Sequence, residues 1–370
     1  MDFKKIDAEV SIYPVLKEVE GKVIYSFDIL SKTDSIFIDA KNMKFSNLVL
    51  NDKKVAFSND GKKIWIKFPF TPSKNNQLRL NYSAKPSQTM YFINWEVPDS
   101  LKVAREVWTQ GQGRYTSYWF PSFDDMAEKA IFDLKINFDS RYRVISNGKL
   151  LGEEKMNDSL TSWRYSMKEP MSSYLLAIAA GKYDSKDLTT TSGVPLHLYY
   201  HPKDSSKVAF TYRFSKKIFD FLQSEIGYPY AWQNYKQVPV QDFLYSGMEN
   251  TGTTIFSDSF MVDSIAYNDR NFINVNAHEL AHQWFGDLVT ETSGNDHWLQ
   301  EGFATYFALL TEKKLFGDDY YYWKLFQSAE QLKEQSDKGK GEAVLSTGSS
   351  SLTYYQKGAW ALHILREKIG

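Results

Sequence analysis

The chain contains no cysteine among its 370 residues and has only six histidines. The lack of cysteine excludes disulfide bonds and thiolate metal ligands, although it does not decide the cellular compartment. No apolar run reaches the roughly eighteen residues that a membrane-spanning helix needs. The formal net charge is -1 with 24% charged residues, so no basic excess favours nucleic acid or an anionic membrane surface as a partner. The length allows two or three domains with sizeable cores.

The amino-terminal segment MDFKKIDAEVS does not have the charged, apolar and small-residue regions of a signal peptide. The compartment is therefore undetermined by sequence. We expect the cytoplasm by default, and the periplasm or secretion if a leader has been removed.

Two of the histidines lie four positions apart in the segment HELAH, at His278 and His282, and Glu301 follows after eighteen further residues. On a helix, positions i and i+4 share one face, so both imidazoles can bind one cation. A carboxylate from a second helix would complete a set of two histidines and one glutamate with a position left for water, the pattern of a catalytic zinc site. Glu279 is then placed to take a proton from that water. The sequence predicts one Zn²⁺ per chain.

The surroundings of this motif have the apolar periodicity and end signals of helices, which argues against a chance match or a pair of core histidines. The first helix is expected to be capped by Asn268 or Asp269 and to end at Gly286. The second is expected over residues 298–315, which places Glu301 in its first turn.

The first half of the chain has short runs of alternating apolar and polar residues, which favour β-strands. These runs cover residues 8–13, 22–30, 35–39, 48–50, 64–68, 77–82, 130–136, 143–146, 162–165 and 174–179. Many short strands without helical periodicity predict a large sandwich or saddle-shaped sheet rather than alternating β-α units. A stretch rich in serine, threonine and glycine at 189–193 is the expected boundary, which gives domains of residues 1–190 and 191–370.

Two loops carry polar groups that could contact a ligand. The first holds Gln110 and Gln112 between glycines, without the strand-to-helix context of a dinucleotide-binding loop. The second, SGMEN at 246–250, places the carboxylate of Glu249 ahead of a β-prone run at 253–256. If an edge strand there pairs with a peptide main chain, that carboxylate could hold the ammonium end of the peptide.

Together these segments resemble the gluzincin aminopeptidases of the aminopeptidase N family, to which leukotriene hydrolase also belongs. The resemblance rests on HELAHQWFG with WLQEGFATY, on SGMEN, on TQGQ with WFPSFDD and on YQKGAWAL, which follow the family's order between Gln110 and Leu362. It implies an α+β multidomain fold, with an N-terminal all-β saddle or sandwich domain followed by a thermolysin-like α/β zinc peptidase domain. It also implies a C-terminal helical domain that packs on the catalytic domain, so we interpret the chain as truncated at its C-terminus.

The resemblance implies a role for each residue of the histidine motif. His278, His282 and Glu301 are then the zinc ligands, and Glu279 is the general base that later returns the proton to the leaving amine. Tyr355, in the YQKG segment, corresponds to the tyrosine that stabilises the oxyanion.

The substrate-binding residues are also assigned by resemblance. Glu249 corresponds to the glutamate that binds the free amine of the substrate, and Gln112 lies at a position near that amine. Gly247 and Met248 are expected to line the peptide-binding edge, and Asn250 belongs to the same set. The implied partners are peptides with a free N-terminus, because a carboxylate near the metal disfavours internal peptide segments.

The ligand histidines need hydrogen-bond acceptors of their own, and Asp287, Glu291 and Asp296 are equally suitable by sequence. The other histidines are interpreted as structural residues: His197, His201, His297 and His363. The expected function is a zinc aminopeptidase that removes the N-terminal residue from peptides. Two alternatives stay open, namely a catalytically impaired fragment or scaffold that acts in protein binding, and a bifunctional epoxide hydrolase.

Overall fold

A computed structural model describes residues 1–346 and 348–369 of the chain. The predicted second domain ends at Gly370, which lies outside these residues, as does Thr347. Within the described residues, no helix is both long and apolar enough to cross a membrane.

The first part of the chain is built mainly from strands. They are β1 (Asp2–Tyr13), β2 (Glu18–Ile29), β3 (Thr33–Asp39), β4 (Lys44–Leu50), β5 (Lys53–Lys54), β6 (Phe57–Asn59), β7 (Lys63–Phe70), β8 (Ser73–Ala84), β9 (Met90–Ile93), β10 (Glu106–Thr109), β11 (Lys129–Asp139), β12 (Arg143–Ser146), β13 (Lys149–Lys155), β14 (Leu160–Ser166), β15 (Met171–Ser172) and β16 (Ile178–Gly181). The largest sheet has the order β13-β14-β11-β1-β2-β8-β4-β5, and β15 also pairs with β11. Smaller sheets have the orders β12-β16-β10-β9 and β3-β7-β6.

β1 lies at the centre of the largest sheet, antiparallel to β2 and parallel to β11. Its alternate side chains Ile6, Ala8, Val10 and Ile12 are buried, because successive residues of a strand point to opposite faces. The alternating sequence therefore produces a sheet with one face in the core, and the predicted sheet-rich N-terminal domain is confirmed.

The strand predicted at 174–179 is wrong in its first half, where residues 173–175 form a 3₁₀ turn. The carbonyl of Leu175 accepts hydrogen bonds from the side-chain amides of Asn147, at 3.0 Å, and Asn250, at 3.1 Å. Because side chains satisfy this buried backbone, it does not need a neighbouring strand.

The second part of the chain combines a mixed sheet with helices. Its strands are β17 (Asp184–Thr189), β18 (Pro195–Tyr200), β19 (Tyr235–Val240), β20 (Gly247–Met248) and β21 (Thr253–Ser257), in the order β17-β18-β19-β21-β20. Its helices are α1 (Val208–Thr211), α2 (Ser215–Ile226), α3 (Ala266–Asp269), α4 (Ile273–Ala281), α5 (Trp298–Phe316), α6 (Asp318–Asp337) and α7 (Gly358–Ile369), and a π-helical turn at Thr353–Lys357 precedes α7. β18, β19 and β21 are parallel, whereas β20 is an antiparallel edge strand.

The segment 189–193, the predicted domain boundary, joins β17 to β18, which pair along their whole length. The division into residues 1–190 and 191–370 stays a prediction.

The helix that carries HELAH begins later than the capping signals at 268–269 indicate. α4 begins at Ile273, whose amide donates to Asn271 Oδ1 at 3.3 Å. It ends at Ala281, and the turn that follows reaches Gly286 at φ 135°. His282 caps the helix with helical backbone angles, so the i,i+4 relation of the two histidines is preserved. α5 begins at Trp298 as predicted, with Glu301 in its first turn.

Candidate active site

α4 and α5 pack side by side and bring three potential ligands to one point. His278 Nε2 and His282 Nε2 lie 3.0 Å apart. Glu301 Oε2 lies 3.3 Å from the first nitrogen and 3.5 Å from the second. The side chains of His282 and Glu301 are each only 2% exposed, and that of His278 is 12% exposed. The structure therefore brings these three residues together, and their role as metal ligands stays a prediction.

These three atoms fit a tetrahedral cation. Metal–ligand distances of about 2.0–2.1 Å, as zinc has with imidazole nitrogen and carboxylate oxygen, place neighbouring ligand atoms roughly 3.3 Å apart. Glu301 Oε2 is buried and accepts no hydrogen bond. A buried carboxylate oxygen without a donor costs free energy unless a cation faces it. Two imidazoles and one carboxylate form a donor set that suits zinc.

The hydrogen-bond partners of the ligand histidines are not the acidic residues considered from the sequence. His282 Nδ1 donates to the carbonyl of Phe285 at 3.0 Å, which leaves Nε2 as the metal-binding nitrogen. His278 Nδ1 lies 3.5 Å from Thr305 Oγ1 on α5. Glu291 contacts His297 instead, with Oε1 3.2 Å from Nδ1.

Glu279 is 7% exposed and lies against Gly247 of the edge strand β20. A Cβ atom at residue 247 would stand 2.5 Å from Glu279 Oε1 and 2.7 Å from its Cδ. Any side chain at residue 247 would therefore displace the Glu279 carboxylate from its present position between α4 and β20. Burial raises the pKa of Glu279 well above its usual value, which makes the carboxylate a stronger base.

Glu249 follows β20 and is 3% exposed, yet its Oε1 has no hydrogen-bond partner. Burial raises the pKa of this carboxyl group, and the negative charge of Glu301 raises it further. One ligand atom from each of Glu249, Glu279 and His282 lie within 4.8 Å of one another. The neighbouring imidazoles of His282 and His297 act to lower this pKa, but no lysine or arginine among the described residues forms an ion pair with Glu249. The carboxylate is therefore suited to bind the cationic end of a ligand.

Gln112 lines the same cavity as Glu249. Its backbone amide donates to Gln110 Oε1 at 3.0 Å, and its own Oε1 accepts from Gln110 Nε2 at 3.4 Å. Gln110 Nε2 also lies 3.5 Å from Met248 Sδ, so Gln110 links the loop to the edge strand and positions Gln112.

Tyr355 reaches the site from the π-helical turn. Its ring stacks on that of His278, with centroids 5.5 Å apart and an interplanar angle of 7°. Burial raises its pKa and the charge of Glu301 raises it further, so the hydroxyl stays protonated and remains a donor. Gly302 and Gly358 make this approach possible, because a Cβ on Gly358 would lie 2.9 Å from the Cα of Gly302.

These residues surround a cavity of about 360 Å³. Its lining residues are Gln112, Tyr245, Ser246, Gly247, Glu249, Asn274, Val275, His278, Glu279, His282, Glu301, Thr305, Tyr355 and Gln356. Met248 and Asn250 are buried and do not line it. Their contact with substrate therefore stays a prediction.

Sequence reasoning missed two residues beside the ligands. His297, interpreted as a structural residue, has Nε2 3.3 Å from Glu301 Oε1. Thr305 lies beside His278. Each is four positions from Glu301 on the same helix, so the i,i+4 rule used for the histidines was a signal for both.

A second buried pair of histidine and glutamate lies away from this cavity. Glu106 on β10 is 1% exposed and accepts hydrogen bonds from Tyr183 Oη, at 2.9 Å, and from the amide of Gln241, at 2.7 Å. His201 Nε2 also contacts Glu106 Oε1. Both carboxylate oxygens of Glu106 are satisfied, so this pair joins the two parts of the chain, although His201 Nδ1 is buried and has no hydrogen-bond partner among the described residues.

The sheet-rich first domain, the mixed sheet with helices and the buried His-His-Glu centre define a thermolysin-like metallopeptidase fold. The sequence matches the Peptidase M1 N-terminal domain over residues 4–175 and the Peptidase family M1 domain over residues 210–370. The chain therefore belongs to peptidase family M1, in agreement with the resemblance recognised from its motifs.

Curated relatives carry the same family features in longer proteins. The chain is 32% identical to glutamyl aminopeptidase of Sus scrofa over 195 residues, which cover 52% of this chain and 21% of that protein. It is 30% identical to endoplasmic reticulum aminopeptidase 1 of Homo sapiens over 260 residues, or 67% of this chain and 28% of that protein. The chain thus spans well under half the length of these relatives.

Solved structures share the fold at lower sequence identity. The M1 zinc metallopeptidase from Deinococcus radiodurans superimposes with a TM-score of 0.80 and 22% identity, covering 100% of this chain and 82% of that chain. A variant of the same protein bound to the substrate Tyr-Ser-Ala gives a TM-score of 0.79 and 21% identity, covering 100% of this chain and 83% of that chain.

Proposed function

We propose that this protein is a zinc-dependent aminopeptidase that removes single residues from the N-terminus of peptides. The observation that carries the proposal is Glu249, a buried carboxylate that shares one cavity with the His278, His282 and Glu301 cluster and whose Oε1 has no hydrogen-bond partner among the described residues. The α-ammonium group of a peptide supplies the missing positive charge. An acetylated N-terminus or an internal segment does not, so the same site that admits a free amine disfavours both.

His278, His282 and Glu301 would hold the zinc ion through the three atoms that converge in the cavity. When bound there, zinc supplies Lewis acidity toward the scissile carbonyl and lowers the pKa of water toward about 7. These two effects are what a cluster with one open position offers a peptide substrate.

Glu279 accepts a proton from the attacking water and later donates it to the leaving amine. Two features of Glu279 support this role. Burial raises its pKa, which makes it a stronger base. Packing against Gly247 keeps its carboxylate close to the predicted ligands. The Tyr355 hydroxyl donates to the oxygen that becomes negative during attack. The side-chain oxygen of Gln112, which lines the same cavity as Glu249, accepts from the amino end of the peptide.

The edge strand β20 can orient a bound peptide, because the peptide main chain can pair with it. Gly247 and Met248 pair with β21 on one side only, so their outer edge can accept a further strand. A peptide that adds there places its first residue toward Glu249. The C-terminal helical domain implied by the sequence resemblance stays a prediction of this proposal.

The test is hydrolysis of a panel of aminoacyl-naphthylamides and of matched free and N-acetylated peptides, with a zinc assay. Glu279→Gln is expected to retain zinc and to lose about a thousandfold in kcat, because it cannot accept the proton. A chelator is expected to remove the activity of the wild-type protein, and added zinc to restore it.

The control is Glu330→Gln, a change of an exposed residue on α6 outside the cavity, which is expected to leave kcat unchanged. Equal cleavage of free and acetylated peptides would contradict the aminopeptidase proposal. Zinc and peptide binding without turnover would favour the scaffold alternative, and epoxide turnover would favour the epoxide hydrolase.

A further inference from the structure

Glu301 presents its two carboxylate oxygens to different neighbours. Oε2 faces His278 and His282, at 3.3 and 3.5 Å, and accepts no hydrogen bond. Oε1 faces His297 Nε2 at 3.3 Å. A carboxylate that is free on both oxygens can rotate or bind a cation through both of them, whereas here one oxygen is already engaged.

His297 is itself held from three directions. Its Nδ1 lies 3.2 Å from Glu291 Oε1, and Glu291 has a side chain only 1% exposed. The ring meets that of Tyr354 edge to face, with centroids 5.5 Å apart. His297 stands four positions before Glu301, so both side chains lie on the same face at the start of α5. The imidazole therefore has little freedom to leave Glu301.

We propose that His297 is a positioning residue of the metal centre, which holds Glu301 Oε1 so that only Oε2 is offered to the zinc ion. Glu291 acts one step further out and fixes the ring of His297. The inference rests on the proposed function, because it assumes that the cluster binds zinc. Hydrogen-bond partners of metal ligands commonly change metal affinity or activity by about 10- to 100-fold when they are removed.

The exposed pair of His197 and Asp187 gives a matched comparison within the same chain. His197 Nδ1 lies 2.9 Å from Asp187 Oδ1 on the β17–β18 hairpin, away from the cavity. It is also a contact of histidine with a carboxylate, but its carboxylate faces no cluster of ligands. A change at His197 therefore shows what the loss of a histidine–carboxylate contact does in general, and any further effect of a change at His297 belongs to the metal centre.

The experiment measures the zinc dissociation constant by competition with a chromophoric chelator for the wild type, His297→Leu and His297→Gln. Leucine removes the donor to Glu301, and we expect zinc to bind about 10- to 100-fold more weakly. The glutamine amide keeps a donor near Nε2, and we expect it to restore zinc binding to within about threefold of the wild type. Zinc-edge X-ray absorption should show an additional oxygen neighbour in the leucine variant, and kcat should fall with little change in KM.

Glu291→Gln keeps the ring of His297 and removes its charged partner, so a smaller loss in the same direction is expected. It also serves as the second variant if His297→Leu does not fold, which the melting temperature of the metal-free protein reveals. His197→Leu should leave zinc affinity unchanged.

Zinc affinity of His297→Leu within twofold of the wild type would overturn the inference. The inference would also be overturned if His297→Gln bound zinc as weakly as His297→Leu. That result would show that the donor at this position does not matter and that His297 acts only through packing. In both cases the wild type would still bind zinc and hydrolyse peptides, so the proposed function would stand. A wild type that binds no zinc would refute both.

Discussion

The two buried pairs of histidine and glutamate in this chain differ in what their oxygens contact. At the junction of the two parts, Glu106 accepts from Tyr183, His201 and the amide of Gln241, and both of its oxygens are satisfied. In the cavity, Glu301 Oε2 faces two imidazole nitrogens and accepts no hydrogen bond. Both glutamates are 1% exposed, so burial alone does not distinguish them.

The difference shows how a structural pair is separated from a binding site. A buried polar group that is fully hydrogen-bonded contributes to stability and specificity of the fold. A buried group with an empty position costs stability, and that cost is recovered when a ligand binds. The predictions that follow test this difference by removing a partner or a charge from each kind of buried group, starting with the largest expected effect.

The first prediction concerns the satisfied pair. His201→Leu removes one partner of Glu106 and leaves a buried carboxylate with fewer donors, so the free energy of unfolding should fall by about 3–5 kcal/mol. Zinc affinity should stay unchanged. Chemical denaturation and chelator competition measure the two quantities.

His197→Leu is the control, because its exposed partner Asp187 should make the cost about 0.5 kcal/mol or less. A His201→Leu protein with normal stability but weakened zinc binding would reverse the comparison of the two pairs.

The second prediction concerns the unsatisfied carboxylate of Glu249. Glu249→Gln keeps the shape and removes the charge, so the preference for free over N-acetylated peptides should fall by about a hundredfold. The stability of the metal-free protein should not decrease, since burial opposes the charge of this group. Paired kinetics on the two peptide series measure the preference. An unchanged preference would remove Glu249 from the amine site.

The third prediction uses a buried lysine at the domain junction. Lys236 is 2% exposed, and its ammonium group donates to Asn234 Oδ1 at 2.8 Å and to the carbonyl of Gly148. Burial lowers its pKa to about 7. Between about pH 7 and 10.5 the unfolded chain binds more protons here than the folded protein, so this group makes stability rise with pH.

We expect the stability of the wild type relative to Lys236→Met to increase by roughly 2 kcal/mol from pH 7 to pH 9. The quantity to measure is the difference in unfolding free energy between the two proteins. His297 makes stability fall with pH in both of them, so its effect cancels in this difference. Its pKa is lowered by burial but raised overall to about 10 by Glu291 and Glu301. A pH-independent difference would show that Lys236 titrates normally.

The parts of the site that follow from local geometry could be predicted from the sequence. The spacing of His278 and His282 on one helix is sufficient to predict that their side chains share one face, and the structure brings their Nε2 atoms to 3.0 Å. Alternation of apolar residues likewise predicted the strands of the first domain. These patterns depend on neighbours only a few positions away.

The remaining residues are brought together by packing between distant parts of the chain, which cannot be predicted from the spacing of apolar residues. Tyr355 and Gln112 were assigned by resemblance to a family, because nothing in their local sequence points to the histidines. The predictions for the start of α4 and for residues 173–175 were wrong for the same reason. In each place a side-chain hydrogen bond overrides the local preference. The amide of Ile273 donates to Asn271 Oδ1, and the side-chain amide of Asn147 donates to the carbonyl of Leu175.

The contact of Gly302 with Gly358 makes two parts of the cavity that lie far apart in sequence depend on each other. Gly302 follows Glu301 on α5, and Gly358 begins α7 directly after the turn that carries Tyr355. A Cβ on Gly358 would lie 2.9 Å from the Cα of Gly302, so α7 docks at this spacing because both residues are glycine. A side chain at either position should therefore shift Tyr355 relative to His278, although neither glycine lines the cavity.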